Sequence, residues 1–151
     1  MKMEGKPILI IFEGVDKSGK TTLKDKFNKE TDFGYVVLDR LTTSSKVYNN
    51  LFCRDRIDYY NKFEDSLKRT FNVLVVLCEC DTNLVIERLK KANETLPEQL
   101  KDIDKVKKNF YIEIERSFDN FMIINTEEDI NDCVDKIIKR VKEMEGNNER
   151  C

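Results

Sequence analysis

Residues Gly14 to Thr22, GVDKSGKTT, follow the apolar run Ile8 to Phe12 and lead into an amphipathic stretch. Few local patterns restrict a fold more tightly, because a buried strand must deliver the chain to the loop and a helix must carry it away. Gly14, Gly19, Lys20 and Thr21 match GxxxxGK[ST] at the required spacing. The glycines let the backbone curl so that consecutive amides face one centre, and a helix beginning at Lys20 adds the positive end of its dipole. Such a centre suits phosphate oxygens. The pattern assigns Lys20 to the outer phosphates of ATP and the Thr21 hydroxyl to magnesium, with Val15, Asp16, Lys17, Ser18 and Thr22 completing the cradle.

Beyond the loop, apolar runs alternate with longer segments of helical period, which is how a parallel sheet with crossover helices reads. Strands are expected at Ile8 to Phe12, Tyr35 to Leu38, Asn72 to Cys80 and Phe121 to Ile124. Helices are expected at Lys20 to Lys29, over most of Ser45 to Arg69 with a break near Cys53 to Asp58, at Thr82 to Ala92 and at Glu98 to Phe118. The last helix is expected to start at Thr126, its hydroxyl capping the amide of Asp129. Ile130, Cys133, Val134, Ile137, Ile138 and Val141 then share the face that meets the sheet. Residues 147–151 read as a frayed tail.

At 151 residues the chain reads as one domain, 1–151, too small for separate catalytic and substrate modules. Its 27 Lys and Arg nearly balance 29 Asp and Glu, which argues against a nucleic-acid or anionic-membrane partner. No apolar run approaches a membrane span and MKMEGK lacks a signal-peptide pattern, so a cytoplasmic protein is expected. Oligomeric state is left open, with a homodimer among the options. There is no histidine, which excludes Ser-His and Cys-His nucleophilic chemistry. The five cysteines form no CxxC pair, and Cys78, Cys80 and Cys133 read as small core residues.

A second functional signal is Asp39-Arg40, at the C-terminal end of the expected strand Tyr35 to Leu38. Ligands bind at that edge of parallel sheets. The carboxylate can hold magnesium or take a proton from an attacking oxygen, and the guanidinium can clamp a second phosphate. A plain strand-end ion pair is the other reading.

FEGVDKSGKTT (Phe12 to Thr22) resembles the loop of thymidylate kinases, DRLTTSSKVYNN (Asp39 to Asn50) resembles that family's Asp-Arg-Tyr/Phe stretch, and CDTNLVIERL (Cys80 to Leu89) resembles the strand, Asp turn and helix that lead to its lid. Deoxynucleoside kinases share much of this layout, with a Glu before the first loop glycine. The resemblance implies a three-layer α/β P-loop NTPase fold with a small parallel sheet of about four strands, and ATP with magnesium as cofactors. It gives Asp16 a contact to the acceptor's sugar 3'-hydroxyl and lays Arg88 along the adenine. Lys17 resembles the basic loop residue of the family branch that lacks a catalytic arginine in the lid, and the expected lid, Lys90 to Leu100, indeed contains none. A solvated surface lysine is the alternative.

The chain departs from the pattern between Thr22 and Asp39, where only sixteen residues replace the strand and helices that normally carry the acceptor site. Substitutes are sought in Tyr48 to Tyr60, which offers Arg54 and Arg56 for an anion and Tyr48, Phe52, Tyr59 and Tyr60 for stacking; core or solvated roles are equally open for each. The expected function is transfer of the ATP γ-phosphoryl group to a deoxynucleoside monophosphate, dTMP first, with Lys17, Lys20 and Arg40 offsetting charge and Asp39 organising metal or acceptor. The alternatives are a deoxynucleoside kinase using Glu13 as base on a 5'-hydroxyl, a kinase of a modified base in DNA, and a nucleotide-binding regulator without transfer activity.

Overall fold

The computed structural model describes residues 5–52 and 56–149. Four strands, β1 (Ile8–Glu13), β2 (Val36–Asp39), β3 (Asn72–Glu79) and β4 (Phe121–Asn125), form one sheet in the order β2-β1-β3-β4. Every pairing is parallel. Among the described residues, five helices connect the strands, α1 (Lys20–Glu30), α2 (Thr42–Leu51), α3 (Ile57–Thr70), α4 (Thr82–Lys91) and α5 (Ile103–Ser117), and α6 (Ile130–Glu149) follows the last strand.

Alternation along β1 and β3 sends side chains to both faces of the sheet, and both faces are covered, which is why these strands read as unbroken apolar runs. On one face Ile8, Ile10, Phe12, Leu74 and Val76 pack against Leu23 and Phe27 of α1 and against Cys133, Val134, Ile137 and Val141 of α6. On the other, Leu9, Ile11, Val73, Val75 and Leu77 meet Val47 of α2, Val85 and Leu89 of α4, and Val106, Phe110 and Ile114 of α5. The result is the three-layer α/β arrangement expected from the alternating pattern. Cys78, Cys80 and Cys133 are buried thiols, as expected of small core residues.

Several boundaries differ from the sequence reading, among them the start of α2, at Thr42 and not Ser45. The segment Glu98 to Phe118 splits into a 3-10 turn, Glu98–Leu100, and α5, which Asp102 caps by accepting from the Lys105 amide at 3.2 Å. The last helix starts at Ile130, with the Asp129 carboxylate accepting from the amides of Asn131 and Asp132 at 2.9 and 3.2 Å. Thr126 is therefore not its cap: its own amide donates to the Glu79 carbonyl at 2.8 Å, which extends the β3–β4 ladder and delays the helix. The helix then continues to Glu149 through most of the expected tail; residues 150 and 151 lie outside the described residues.

A buried ionic group ties the helices of one layer together. Lys46 of α2 and Glu64 of α3 form an ion pair with side chains only 2% and 3% exposed. Thr42 donates to the same carboxylate, and the Lys46 ammonium also donates to Ser117 Oγ of α5 at 3.0 Å. Breaking such a pair leaves an uncompensated charge in the interior. Glu64→Ala should lower unfolding free energy in urea by about 3–5 kcal/mol, whereas the double change Lys46→Met, Glu64→Leu should recover most of it.

Candidate functional site

Parallel order β2-β1-β3 means that the chain leaves β1 toward one neighbour and later returns on the other side, opening a crevice at the C-terminal end of β1. The glycine loop fills that position. Gly14 has φ 148°, and a Cβ there would sit 2.5 Å from the Cys78 carbonyl oxygen, so only glycine lets the loop cross this close to β3. Gly19, at φ 86°, lies against Thr126, where a Cβ would approach the side chain to 3.0 Å. Thr126 donates to the Ser18 carbonyl and, at 3.2 Å, to that of Glu79, bolting the loop to the β3–β4 edge. Lys17 takes φ 64°, a left-handed conformation that costs a non-glycine residue about 1–3 kcal/mol. Its carbonyl accepts from Arg88 at 2.6 Å, which helps hold that geometry.

Helix α1 begins with no side-chain cap, so the amides of its first turn are left for another acceptor. They open on a cavity of about 760 Å³ lined by Val15, Asp16, Lys17, Ser18, Gly19, Lys20, Thr21 and Thr22, with Arg40 and Arg88 on its walls. Leu23, Glu94, Thr126, Ile130 and Cys133 complete the lining. The expected lid therefore reaches the site through one residue, Glu94, whose carboxylate stands 3.1 Å from the Lys17 ammonium.

Register places Asp39 beside the loop, since Phe12 pairs with Asp39 across β1 and β2. The Lys20 ammonium is hydrogen-bonded to the Asp39 carboxylate, and Lys24 lies 3.8 Å from its second oxygen. Burial alone would raise the Asp39 pKa, but these lysines and Arg40 more than offset it and hold the group below its ordinary value. Asp39 is thus ionised at neutral pH. Arg40 (φ 62°) follows; its guanidinium is paired with Asp16 and lies 3.5 Å from the Gly14 carbonyl.

These residues fit a nucleotide triphosphate: the helix end is uncapped, the glycines leave room where a Cβ would intrude, and the buried Ser18 hydroxyl has no partner. Among the described residues no three His, Cys, Asp or Glu side chains gather into a metal cluster. Magnesium would instead be held by Thr21 and Asp39 together with phosphate oxygens, its usual manner of binding beside a nucleotide.

Glu13, the last residue of β1, is 0% exposed and does not line the cavity. One carboxylate oxygen accepts from the Leu41 amide at 2.6 Å and the other has no partner. Burial pushes its pKa from near 4.5 to about 7, against the opposing pull of the Leu41 and Ser44 amides and Arg40.

The remaining candidates separate. Tyr48 stands near Arg40 and Asp16, and packs edge-on against Phe110 with ring centroids 6.0 Å apart. It borders a second, apolar cavity of only about 30 Å³ between Val15, Asp16, Leu89, Leu96 and Ile103. Phe52 ends α2 and Arg56 precedes α3, exposed; neither lines either cavity. Arg54 falls outside the described residues. Sequence reading missed Lys24, Glu94 and Thr126, since their roles come from contacts between segments distant in the chain and no local pattern marks them.

No protein-family profile matches the chain, and no curated protein matches it. Solved structures do. The YorR protein of Bacillus subtilis, determined in complex with phosphorylated GDP, superposes with a TM-score of 0.66 at 22% identity over 92% of this chain and 98% of its own. Deoxyadenosine kinase of M. mycoides with bound dCTP gives 0.59 at 18% identity, covering 89% of this chain and 99% of that one. Thymidylate kinase of Candida albicans gives 0.57 at 14%, covering 97% and 96%. The chain has the fold of the thymidylate and deoxynucleoside kinase-like P-loop proteins, nearly end to end.

The Glu13 environment carries a stability prediction. Its folded pKa lies above its unfolded one, so the native state binds the extra proton between them and stability falls as pH rises from about 5 to 8. The stabilisation is full below the unfolded value and gone above about 7, a difference of roughly 3 kcal/mol. Asp39, shifted the opposite way, acts only at lower pH. Urea unfolding at pH 5 and pH 8 should show wild type losing more stability across this interval than Glu13→Gln, which has no proton to lose.

Proposed function

We propose that the protein is a magnesium-dependent kinase that transfers the γ-phosphoryl group of ATP to a deoxynucleoside monophosphate, with dTMP the first acceptor to test. One observation supports the reading above the others: Arg40 lines the same cavity as Lys17, Lys20 and Thr21, where it can serve as a second cationic clamp beside the phosphate cradle. A pure nucleotide binder has no need of that clamp.

In the proposed reaction an acceptor phosphate oxygen attacks the γ-phosphorus while the bond to the β,γ-bridging oxygen breaks and ADP leaves. That acceptor oxygen is already ionised, so the chain must position and neutralise rather than abstract a proton. The first-turn amides of α1 and Lys20 hold the donor phosphates, Arg40 holds the acceptor phosphate, and Arg88 borders the donor base. Bound magnesium supplies charge neutralisation between the phosphates. Lys20 must exchange Asp39, and Lys17 must exchange Glu94, for phosphate oxygens. The Lys17–Glu94 pair joins groups that keep some exposure, and such a pair is worth about 1 kcal/mol or less; the Lys20 ammonium is largely buried, so its release from Asp39 depends on phosphate oxygens taking over its charge.

A second reading is phosphorylation of a nucleoside 5'-hydroxyl. The likeness to deoxyadenosine kinase favours it, as does the apolar character of the small cavity beside Tyr48. It requires a base within reach of the hydroxyl. Asp39, ionised and at the cavity, suits that role better than Glu13, which is enclosed.

A panel of nucleosides and nucleoside monophosphates with radiolabelled ATP distinguishes the two. Transfer to dTMP but not thymidine is expected, with Arg40→Ala raising KM for the monophosphate; transfer to thymidine alone would move the assignment to the second reading. Lys20→Ala should remain folded and lose on the order of a hundredfold or more in kcat, and wild-type turnover in that variant would overturn the phosphate-loop assignment. Lys17→Gly should lower kcat far more than it raises KM for ATP, as expected of a contact formed chiefly in the transition state.

A further inference from the structure

Helices α1, α2, α4 and α6 all start at the C-terminal edge of the sheet; Asp81 and Asp129 cap α4 and α6 from their own turns, whereas α1 and α2 lack such a cap and are treated differently. The end of α1 is open. Helix α2 also lacks a side-chain cap from its own N-cap residue, Leu41, yet a carboxylate does lie there: that of Glu13, delivered from β1. The Leu41 amide donates to it at 2.6 Å, and the Ser44 backbone and hydroxyl also face it. A carboxyl oxygen at this position satisfies an amide that would otherwise be stranded.

The turn so held is the one that aims Arg40. One of its residue conformations is unfavourable by itself: Arg40 has φ 62°. Two consecutive acceptors at the end of β1 capture two consecutive amides of the turn, the Phe12 carbonyl taking Arg40 N–H at 2.9 Å and Glu13 taking Leu41 N–H. The backbone is thereby clamped on both sides of the Arg40 side chain, which then reaches Asp16 and Gly14 of the phosphate loop.

We infer that Glu13 is a positioning residue: its carboxylate, seated at the N-terminus of α2, holds the Asp39-Arg40-Leu41 turn so that Arg40 faces the phosphate loop. The inference rests on the kinase reading of the cavity for its catalytic consequence, but not for its structural content. Glu13 acts through Arg40 and does not touch the reacting atoms. What the turn requires is an acceptor for Leu41 N–H, so a neutral amide serves and a methyl group does not.

The test uses Glu13→Gln, Glu13→Ala, Arg40→Ala and the double variant Glu13→Ala, Arg40→Ala in the full chain. Amide hydrogen exchange should show Leu41 protected in wild type and in Glu13→Gln, and exchanging at least about tenfold faster in Glu13→Ala. With the acceptor found above, Glu13→Ala should lose about tenfold or more in kcat while KM for ATP moves by less than about threefold; misplacement of a clamping group acts in this way. Glu13→Gln should stay within about threefold of wild type. Glu13→Ala should cost nothing further once Arg40 is gone, which a general structural defect would not produce.

Full loss in Glu13→Gln would overturn the inference in favour of proton transfer at Glu13. Independent losses that multiply in the double variant would overturn it as well. So would unchanged protection of Leu41 in Glu13→Ala, a result that stands even if no acceptor is phosphorylated and the kinase reading fails.

Discussion

Everything at the site hangs from the end of β1. That strand is paired in parallel register with β2 on one side and β3 on the other, and its six side chains are all buried. A segment held by hydrogen bonds on both edges and by packing on both faces cannot shift without opening both cores. The loop that follows inherits this rigidity, and so do the two acceptors at the end of the strand, the Phe12 carbonyl and the Glu13 carboxylate. Preorganisation of this kind is what a phosphate site needs, because its amides and cations must stand in place before charge arrives.

The electrostatics are local rather than global. A chain with formal net charge −2 gathers Lys17, Lys20, Arg40 and Arg88 around one cavity. Each is engaged: Lys17 with Glu94, Lys20 with Asp39, Arg40 with Asp16, and Arg88 with the Lys17 carbonyl. The three carboxylates keep the cations from repelling one another and fix their positions.

The two helix N-termini express the same economy of charge. The open one is left for a ligand, and the other is filled by a carboxylate of the chain itself. The filled end becomes part of the frame, with the Lys46–Glu64 pair stitching α2 to α3 a little further along. Among the described residues, the buried side-chain atoms lacking a hydrogen bond are Glu13 Oε2, Ser18 Oγ and Arg40 Nε, and all three lie around the loop and turn that follow β1 and β2.

Much of this was written locally. Apolar runs of strand length, helical periodicity between them, and glycines at the spacing of a phosphate loop determine the α/β layering and the identity of the cradle, because each depends on residues within one turn or one strand of each other. Asp39-Arg40 was legible as a strand-end pair. The cap of α6 was misplaced by three residues because Thr126 is claimed by the β3 ladder, a demand invisible from its neighbours in the chain. Only the tertiary structure decided that Glu13 turns inward to hold α2, that Glu94 meets Lys17, and that Tyr48 borders a cavity of about 30 Å³ while Arg56 stands outside it. Those outcomes depend on strand register and on how far one helix sits from another, distances set by packing the whole core and by no single stretch of sequence.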